Sequence, residues 1–395
     1  LIATLGLAPL TLLFFQQVSM VGFAANLVAI PLITLLVTPL ALLGSLVPPL
    51  WAVAAWLLQP LSAWLQWLAA WPLAVWNVPA ASLWAQAAAL LGGALLVLPL
   101  PARLRWLGVP LLLPLLALAL ERPPAGQVEI VAVDVGQGTS VLVRTRGHLL
   151  VYDAGPLYSR ESDAGQRVLL PLLRARGERV VDRLVLSHRD IDHVGGARAL
   201  MTALPVRAVS SSLAADHPLL ALAPAHEPCR SGQTWVWDGV RFEFLHPTVG
   251  EADPAARPNT VSCVLRVAAM DAPAALLTGD IEREQELRLA GRHGEALHAD
   301  VLLVPHHGSR TSSTPLFLDA VKPRIAVVQA GYRNRFGHPA AEVVERYRAL
   351  GGTLVASPAC GAWTWRSDEG GAGRCQRDSA RRYWHLSLVQ AASGE

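Results

Sequence analysis

Charge is missing from the first quarter of the chain: Leu1 to Ala102 contains no Asp, Glu, Lys, Arg or His. A run of that length built mainly from Leu, Ala, Val and Trp excludes a fully soluble protein, because it offers water too little polar surface to stay monomeric. All 33 basic and 30 acidic side chains of the 395-residue sequence lie beyond it. Their density there, roughly 22%, approaches the ~25% of ordinary soluble domains and excludes a purely membrane-embedded protein. Lysine is nearly absent: Lys322 is the only one, and a preference for arginine fits GC-rich coding better than any mechanism. The net charge of +3 is too mild to establish a nucleic-acid partner. Cysteine is scarce, and Cys229, Cys263, Cys360 and Cys375 show no CxxC spacing, which excludes a structural zinc finger. Cys360 and Cys375 flank a Gly-rich loop and either form a disulfide in an oxidising compartment or stay as thiols. No Gly-x-x-x-x-Gly-Lys-Ser/Thr loop occurs, so any ATP-driven motor is a separate protein.

The uncharged part reads as membrane helices. Leu1 to Phe15 is apolar, short and without the basic start of a signal peptide, and is expected to be the tail of a spanning helix. Met20 to Leu46 is long enough to cross ~30 Å of hydrocarbon, with kinks at Pro31 and Pro39. From Trp51 to Trp76, six tryptophans alternate with Gln59, Ser62 and Gln66, which suits a helix in the interface or lining a groove. Ala81 to Leu98 and Trp106 to Leu120 are further span candidates. Gln16, Gln17 and Asn26 hint at a polar pathway, against plain membrane anchoring. Arg103 and Arg105 precede the last span while Glu121 and Arg122 after it cancel, so the positive-inside tendency puts the charged part outside the cytoplasm.

From Gln127 the pattern changes to short β runs and turns. Val128 to Asp134, Ser140 to Arg144, Leu149 to Asp153 and Arg183 to Leu186 read as strands, with a helix near Val168 to Arg176. After the last strand comes Ser187-His188-Arg189-Asp190-Ile191-Asp192-His193-Val194-Gly195-Gly196. Two His and two Asp within six positions crowd four donors around a small volume, as a pair of metal ions ~3.5–4 Å apart requires. Gly195 and Gly196 allow a close helix–strand approach. The apolar strand Ala275 to Asp280 delivers a carboxylate to its end, and Asp300 to Ser309 does the same with His306 and His307.

The segments His188-x-Asp190-x-Asp192-His193, Thr278-Gly279-Asp280 and Pro305-His306-His307-Gly308-Ser309 resemble the metal motifs of the metallo-β-lactamase fold. Asp134-Val-Gly-Gln137-Gly, Asp153-Ala-Gly155 and Asn334-Arg-Phe-Gly-His338-Pro339 are similar to the version in the ComEC family of DNA-internalisation (competence) proteins. Leu1 to Pro31 looks like the last part of that family's membrane channel. The resemblance covers essentially the whole chain. It implies a membrane α-helical region over 1–122 and an α/β metallo-β-lactamase fold, an αββα sandwich, over 127–395. It further implies a multi-pass protein of the bacterial inner membrane that passes one DNA strand and degrades the other, working with a separate DNA receptor and an ATP-dependent translocase, in contact with lipid and as a possible homo-oligomer.

The resemblance also implies roles for residues. His188, Asp190 and Asn259 hold one ion, with Asn259 preferred to His246, and Asp192, His193 and His307 hold a second, with Asp280 bridging. His307 is chosen over His306 because Pro305-His-His-Gly308 matches the Pro-Gly-His-Gly turn of lactamases, with the reverse assignment left open. Asp190 stands where the superfamily usually has histidine, and the oxygen-rich set favours two divalent ions of Mn²⁺ ahead of Mg²⁺ or Zn²⁺. Asp192 orients or deprotonates the nucleophile, and His306 or His338 serves the leaving oxygen of a phosphodiester. Ser309, Arg310, Asn334 and Arg335 contact substrate, with Arg333 part of the same basic rim, and Asp134 and Asp153 brace the loops. His148, His217, His226, His293, His298 and His385 are expected at the surface. The competing readings are a hydrolase of another phosphoester, lactam or thioester, and a transport protein whose domain only binds DNA.

Overall fold

The computed structural model describes residues 10–71, 73–115, 121–253, 256–269 and 274–381. The chain divides into two compact units, Leu1–Leu120 with Arg174–Gly177, and Glu121–Leu173 with Glu178–Glu395.

In the first unit, Gly22–Leu43 is a continuous 22-residue apolar helix of mean hydropathy 2.2. At 1.5 Å per residue it reaches ~33 Å, enough for a bilayer core. The expected proline kinks take a milder form: between Pro31 and Pro39 the backbone widens into a π-helical stretch, Ile33–Val37, which absorbs the amide that proline cannot supply. Among the described residues this is the only helix long and apolar enough to cross a membrane. Leu83–Val97 has 15 residues because Leu98, ahead of Pro99, turns to extended backbone. The expected span after Trp106 breaks into Gly108–Leu112 and the 3₁₀ turn Leu113–Leu115. Residues 116–120, and residues 1–9 of the first expected span, lie outside the described residues. Leu83–Val97 packs on Gly108–Leu112 through Gly92 and Gly108, where a Cβ on either would stand 2.6 Å or less from the other's carbonyl oxygen. Pro49–Ala69 is the expected tryptophan-bearing helix, burying Ala54, Leu61 and Leu68 on one face. Trp76 belongs instead to a short strand, Val75–Asn77, antiparallel to Gln17–Ser19.

The second unit is built on two mixed sheets. From edge to edge the first runs His226–Pro228, Val209–Ser211, Arg183–Leu186, Leu149–Tyr152, Val141–Arg144, Glu129–Ala132, Trp363–Arg366 and Arg374–Cys375. The second runs Thr234–Trp237, Val240–His246, Val264–Ala268, Ala274–Leu277, Val301–Leu303, Ile325–Val328 and Thr353–Ala356. Alternation along the central strands feeds two cores at once. Ile130, Val143, Leu150, Tyr152 and Val185 join Phe242, Phe244, Leu265, Leu277 and Val327 of the other sheet in one cluster. Their neighbours Val131, Leu142, Leu149, Val151 and Leu184 pack on Leu169, Leu173, Ala197 and Leu200 on the opposite face. Outside the second sheet, Leu276, Leu302 and Val328 pack on Leu289, Phe317, Val343 and Tyr347 of three helices. Strands buried on both faces explain why the sequence shows near-continuous apolar runs there.

Both cysteine pairs are closed. Besides Cys360–Cys375 there is Cys229–Cys263, joining residues 34 apart that carried no sequence signal. Both lie in the core between the sheets. Loop-closure entropy assigns about 3 kcal/mol to the shorter loop and about 4 kcal/mol to the longer. Cys229→Ser is therefore expected to lower the urea midpoint of this unit more than Cys375→Ser. Urea titration followed by near-UV circular dichroism measures both, and midpoints that do not move on reduction would show that neither bridge forms.

Candidate metal centre

The centre lies where strands from both sheets end. Arg183–Leu186 runs into Ser187 and His188, after which Asp190 leads into the one-turn helix Ile191–Val194 carrying Asp192 and His193. That helix sits hard against the next loops: a Cβ on Gly195 would stand 2.2 Å from Leu157 N and one on Gly196 2.3 Å from Gly165 N, so the expected close approach is real. Ala274–Leu277 ends three residues before Asp280, and Gly279 there has φ 55°. After Val301–Leu303 both His306 (φ 50°) and His307 (φ 53°) take left-handed backbone, which splays consecutive imidazoles to different sides.

Three imidazoles converge. The Nε2 atoms of His188, His193 and His307 are buried and complete no hydrogen bond. His193 Nε2 lies 3.3 Å from Asp280 Oδ1 and 3.9 Å from Asp192 Oδ2, and His307 Nε2 lies 3.3 Å from Asp192 Oδ2 and 3.4 Å from Asp280 Oδ2. Two donor sets result, His188–His193–Asp280 and Asp192–His193–His307, each with ligand atoms within 4.8 Å of one another. The opposite ring nitrogens are engaged. His193 Nδ1–H donates to Asp153 (2.8 Å) and His307 Nδ1–H to the Gln329 carbonyl (2.8 Å), while His188 Nδ1 meets the Ser187 hydroxyl (3.0 Å). Partners at Nδ1 leave the Nε2 lone pairs facing inward, as metal-binding histidines require. The donors therefore fit divalent cations.

Electrostatics point the same way. Burial would raise the Asp192 carboxyl, but the imidazole of His307 3.3 Å away and the charges of His193 and His307 bring it down to about 2. Asp280 is buried too, yet His193 and His307 hold it well below the carboxylate range. Burial disfavours charge on His193, but Asp280 and Asp153 outweigh it and push the imidazole well above its ordinary value. Protons thus serve as counter-charges that a bound cation displaces.

The other expected residues are distributed unevenly. Of the histidine pair it is His307 that joins the donors, whereas His306 is part-exposed, its Nε2 3.8 Å from Asp280 and its Nδ1 3.3 Å from Glu282 and 3.2 Å from Thr311 Oγ1. Asp190 stands at the rim: it precedes the helix without a side-chain capping bond, its side chain is 46% exposed, and its only described contact with the donors is His188 Nε2 at 3.6 Å. Asn259 lies on the 3₁₀ turn Pro258–Val261, and its rival His246 turns to the Ser262 carbonyl and Glu251. Asp153 braces the site and Asp134 pairs with Arg377 at 3.1 Å. Asn334, expected at substrate, is committed to its own loop: it donates to the Gly331 and His338 carbonyls and accepts from the Phe336 and His338 amides. Ser309 bonds Thr311 within its turn, and Arg310 is exposed with Glu342 at 3.7 Å. His338 is half-buried, its ring packed near His306 and His307, and burial followed by those two charges lowers its pKa. Four of the remaining histidines are half-buried rather than superficial: His148 on Asp238, His226 on Ser211, with His217 and His293; His298 is exposed, and His385 lies outside the described residues. Glu282, Thr311 and Gln329 were missed. Glu282 had one signal, a carboxylate two residues after Asp280 at the start of an amphipathic helix, where it forms a capping box with Gln285.

Comparison with known proteins agrees. Residues 1–103 match the competence protein family and residues 133–332 the metallo-beta-lactamase superfamily. Competence protein ComA of Neisseria gonorrhoeae is 37% identical over 372 residues, covering 94% of this chain and 51% of that one. ComE operon protein 3 of Bacillus subtilis is 28% identical over 393 residues, covering 87% and 48%. The chain spans about half the length of these relatives. Among solved structures, the metallo-beta-lactamase fold protein YhfI of Bacillus subtilis aligns with 60% of this chain and 99% of its own, at 13% identity and a TM-score of 0.41. The chain is a member of the competence protein family, and its charged half is a metallo-beta-lactamase domain.

Proposed function

We propose that this chain serves DNA uptake as a multi-pass protein of the bacterial inner membrane, and that its charged half is a metal-dependent phosphodiesterase that degrades the non-transported DNA strand. The observation that carries the reading is the convergence of three buried, unsatisfied Nε2 atoms on two ionised carboxylates. When bound, two divalent ions supply Lewis acidity to the phosphoryl oxygens and lower the pKa of the attacking water. Asp280 faces both donor sets and would help hold an ion in either, and Asp192, with Oδ2 3.3 Å from His307 Nε2, would orient the nucleophile. His306 presents Nε2 toward the centre while Glu282 and Thr311 fix its Nδ1, which suits it to hand a proton to the leaving oxygen. His338, with Nδ1 making no hydrogen bond, sits beside both histidines and is assigned to the substrate.

The spanning helix Gly22–Leu43, the arginine pair at 103 and 105 and the two disulfides support a membrane protein whose charged half faces an oxidising, extracytoplasmic space. A DNA receptor, an ATP-driven translocase and self-association complete the proposal. The test is to incubate the full chain with labelled single- and double-stranded DNA in Mn²⁺, Mg²⁺, Zn²⁺ or EDTA. Cleavage that is strongest with Mn²⁺ and abolished by EDTA is expected, and no cleavage with any metal would leave a DNA-binding transport protein. Glu282→Gln is expected to reduce kcat about 10- to 100-fold with bound metal unchanged. A wild-type rate in that variant would remove Glu282 and His306 from the mechanism.

A further inference from the structure

The loop 331–338 bordering the centre carries more than the basic rim. It reads Tyr332-Arg333-Asn334-Arg335-Phe336, two aromatic–arginine pairs around one asparagine. Tyr332 is 48% and Phe336 54% exposed. Each guanidinium covers its neighbour's ring, Arg333 at 5.2 Å from the Tyr332 centroid and Arg335 at 4.8 Å from that of Phe336. The loop is rigid despite its exposure, because Asn334 satisfies four backbone groups within it and Gln137 receives the Gly331 amide at 3.0 Å. From Phe336 a series of near-parallel rings leads inward: Phe336 on His338 at 5.7 Å and 23°, then His338 on His307 at 6.3 Å and 22°.

From this arrangement, and resting on the phosphodiesterase reading, we infer that Tyr332 and Phe336 form a stacking platform that delivers an unpaired nucleic-acid strand to the metal centre. A rigid exposed ring offers a π face with little entropy left to lose, and every base has a matching face. The arginines provide the backbone half of the same recognition, since a guanidinium leaves its ring for a phosphate when a base takes its place, or stacks on the base itself. A duplex keeps its bases stacked on one another and cannot use the platform. The loop therefore sets the strand state of the substrate while remaining indifferent to sequence. The inward series of rings argues for nucleic acid over lipid, as it ends on His307 of the centre.

The test is fluorescence anisotropy on the full chain in detergent with EDTA, using a labelled single-stranded oligonucleotide, its duplex, and an abasic strand of equal length. The wild type is expected to bind the ordinary strand at least about tenfold tighter than the abasic one, and Tyr332→Ala with Phe336→Ala to lose at least about tenfold on the ordinary strand alone. Phe336→Trp, which keeps a π face, is expected to retain binding, whereas Phe336→Leu, which keeps only apolar bulk, loses it. Equal affinity of wild type and double variant for the ordinary strand overturns the inference, as does an equal loss on the abasic strand. Weaker partition of the double variant onto phosphatidylglycerol vesicles with unchanged DNA affinity also overturns it, by assigning the loop to lipid. Cleavage assayed in parallel separates the two ideas. Hydrolysis by the wild type without a stacking effect sinks only the platform, and absence of hydrolysis with every metal sinks the phosphodiesterase.

Discussion

Asp280→Ala is expected to abolish metal-dependent hydrolysis, a fall of at least about 10³-fold, because it removes a directly facing donor where loss of an outer partner already costs 10- to 100-fold. The carboxylate presents Oδ1 to His193 and Oδ2 to His307, so one side chain closes the centre from both sides. No neighbour replaces it: Asp192 approaches from the helix Ile191–Val194 and Glu282 is engaged with Thr311 and the helix cap. Asp280→Asn keeps the shape but replaces one charged donor oxygen with an amide NH₂, which offers a cation no lone pair, so it is expected to fail nearly as completely. Metal content by mass spectrometry and cleavage of a labelled strand provide the readout. Wild-type metal content together with wild-type rate in either variant would refute the assignment of Asp280.

What could be read in advance follows from how local the cause was. The strand Arg183–Leu186 was legible to the residue, and Val141–Arg144 and Leu149–Tyr152 within one, because burial on both faces writes an unbroken apolar run between polar turns. The donors were legible because His188 to His193 crowd into six positions and two other strands end in carboxylate or histidine. The choice of His307 over His306 rests on a motif match alone, and the structure agrees with it. In the fold it is made by two consecutive left-handed residues, and no side-chain pattern encodes which way they splay adjacent rings. The bridge Cys229–Cys263 was equally silent, since it depends on two sheets meeting across 34 residues. The role of Asn334 within its loop was silent too, because its amide bonds backbone groups of the same turn and the residue pattern does not show that. In the uncharged half, composition located helices but not their lengths. Pro99 and Pro114 fall where helices end that hydropathy alone would extend.

Asp153→Ala is expected to cost both the fold and the site. Asp153 is fully buried and accepts from the Ser187 amide at 2.7 Å, the Ser187 hydroxyl at 2.7 Å and His193 Nδ1–H at 2.8 Å. Truncation strands an amide and an imidazole N–H away from water at about 1–3 kcal/mol each. It also forces alanine into left-handed backbone at φ 57°, which adds roughly 1–2 kcal/mol. The sum, about 3–8 kcal/mol, is comparable with the stability of a whole domain. Asp153→Asn separates these effects, because asparagine tolerates the left-handed region and keeps one acceptor oxygen. That oxygen keeps the Ser187 amide when it takes the Oδ1 place, which turns an NH₂ onto the Ser187 hydroxyl and His193 Nδ1–H, so the imidazole loses its fixed orientation and the metal centre loses about 10- to 100-fold in affinity while the fold survives. Urea denaturation read beside metal titration distinguishes the two roles: equal losses of stability in Ala and Asn variants would mean that the charge itself holds the fold, and unchanged metal affinity in the Asn variant would mean that His193 is oriented by packing alone.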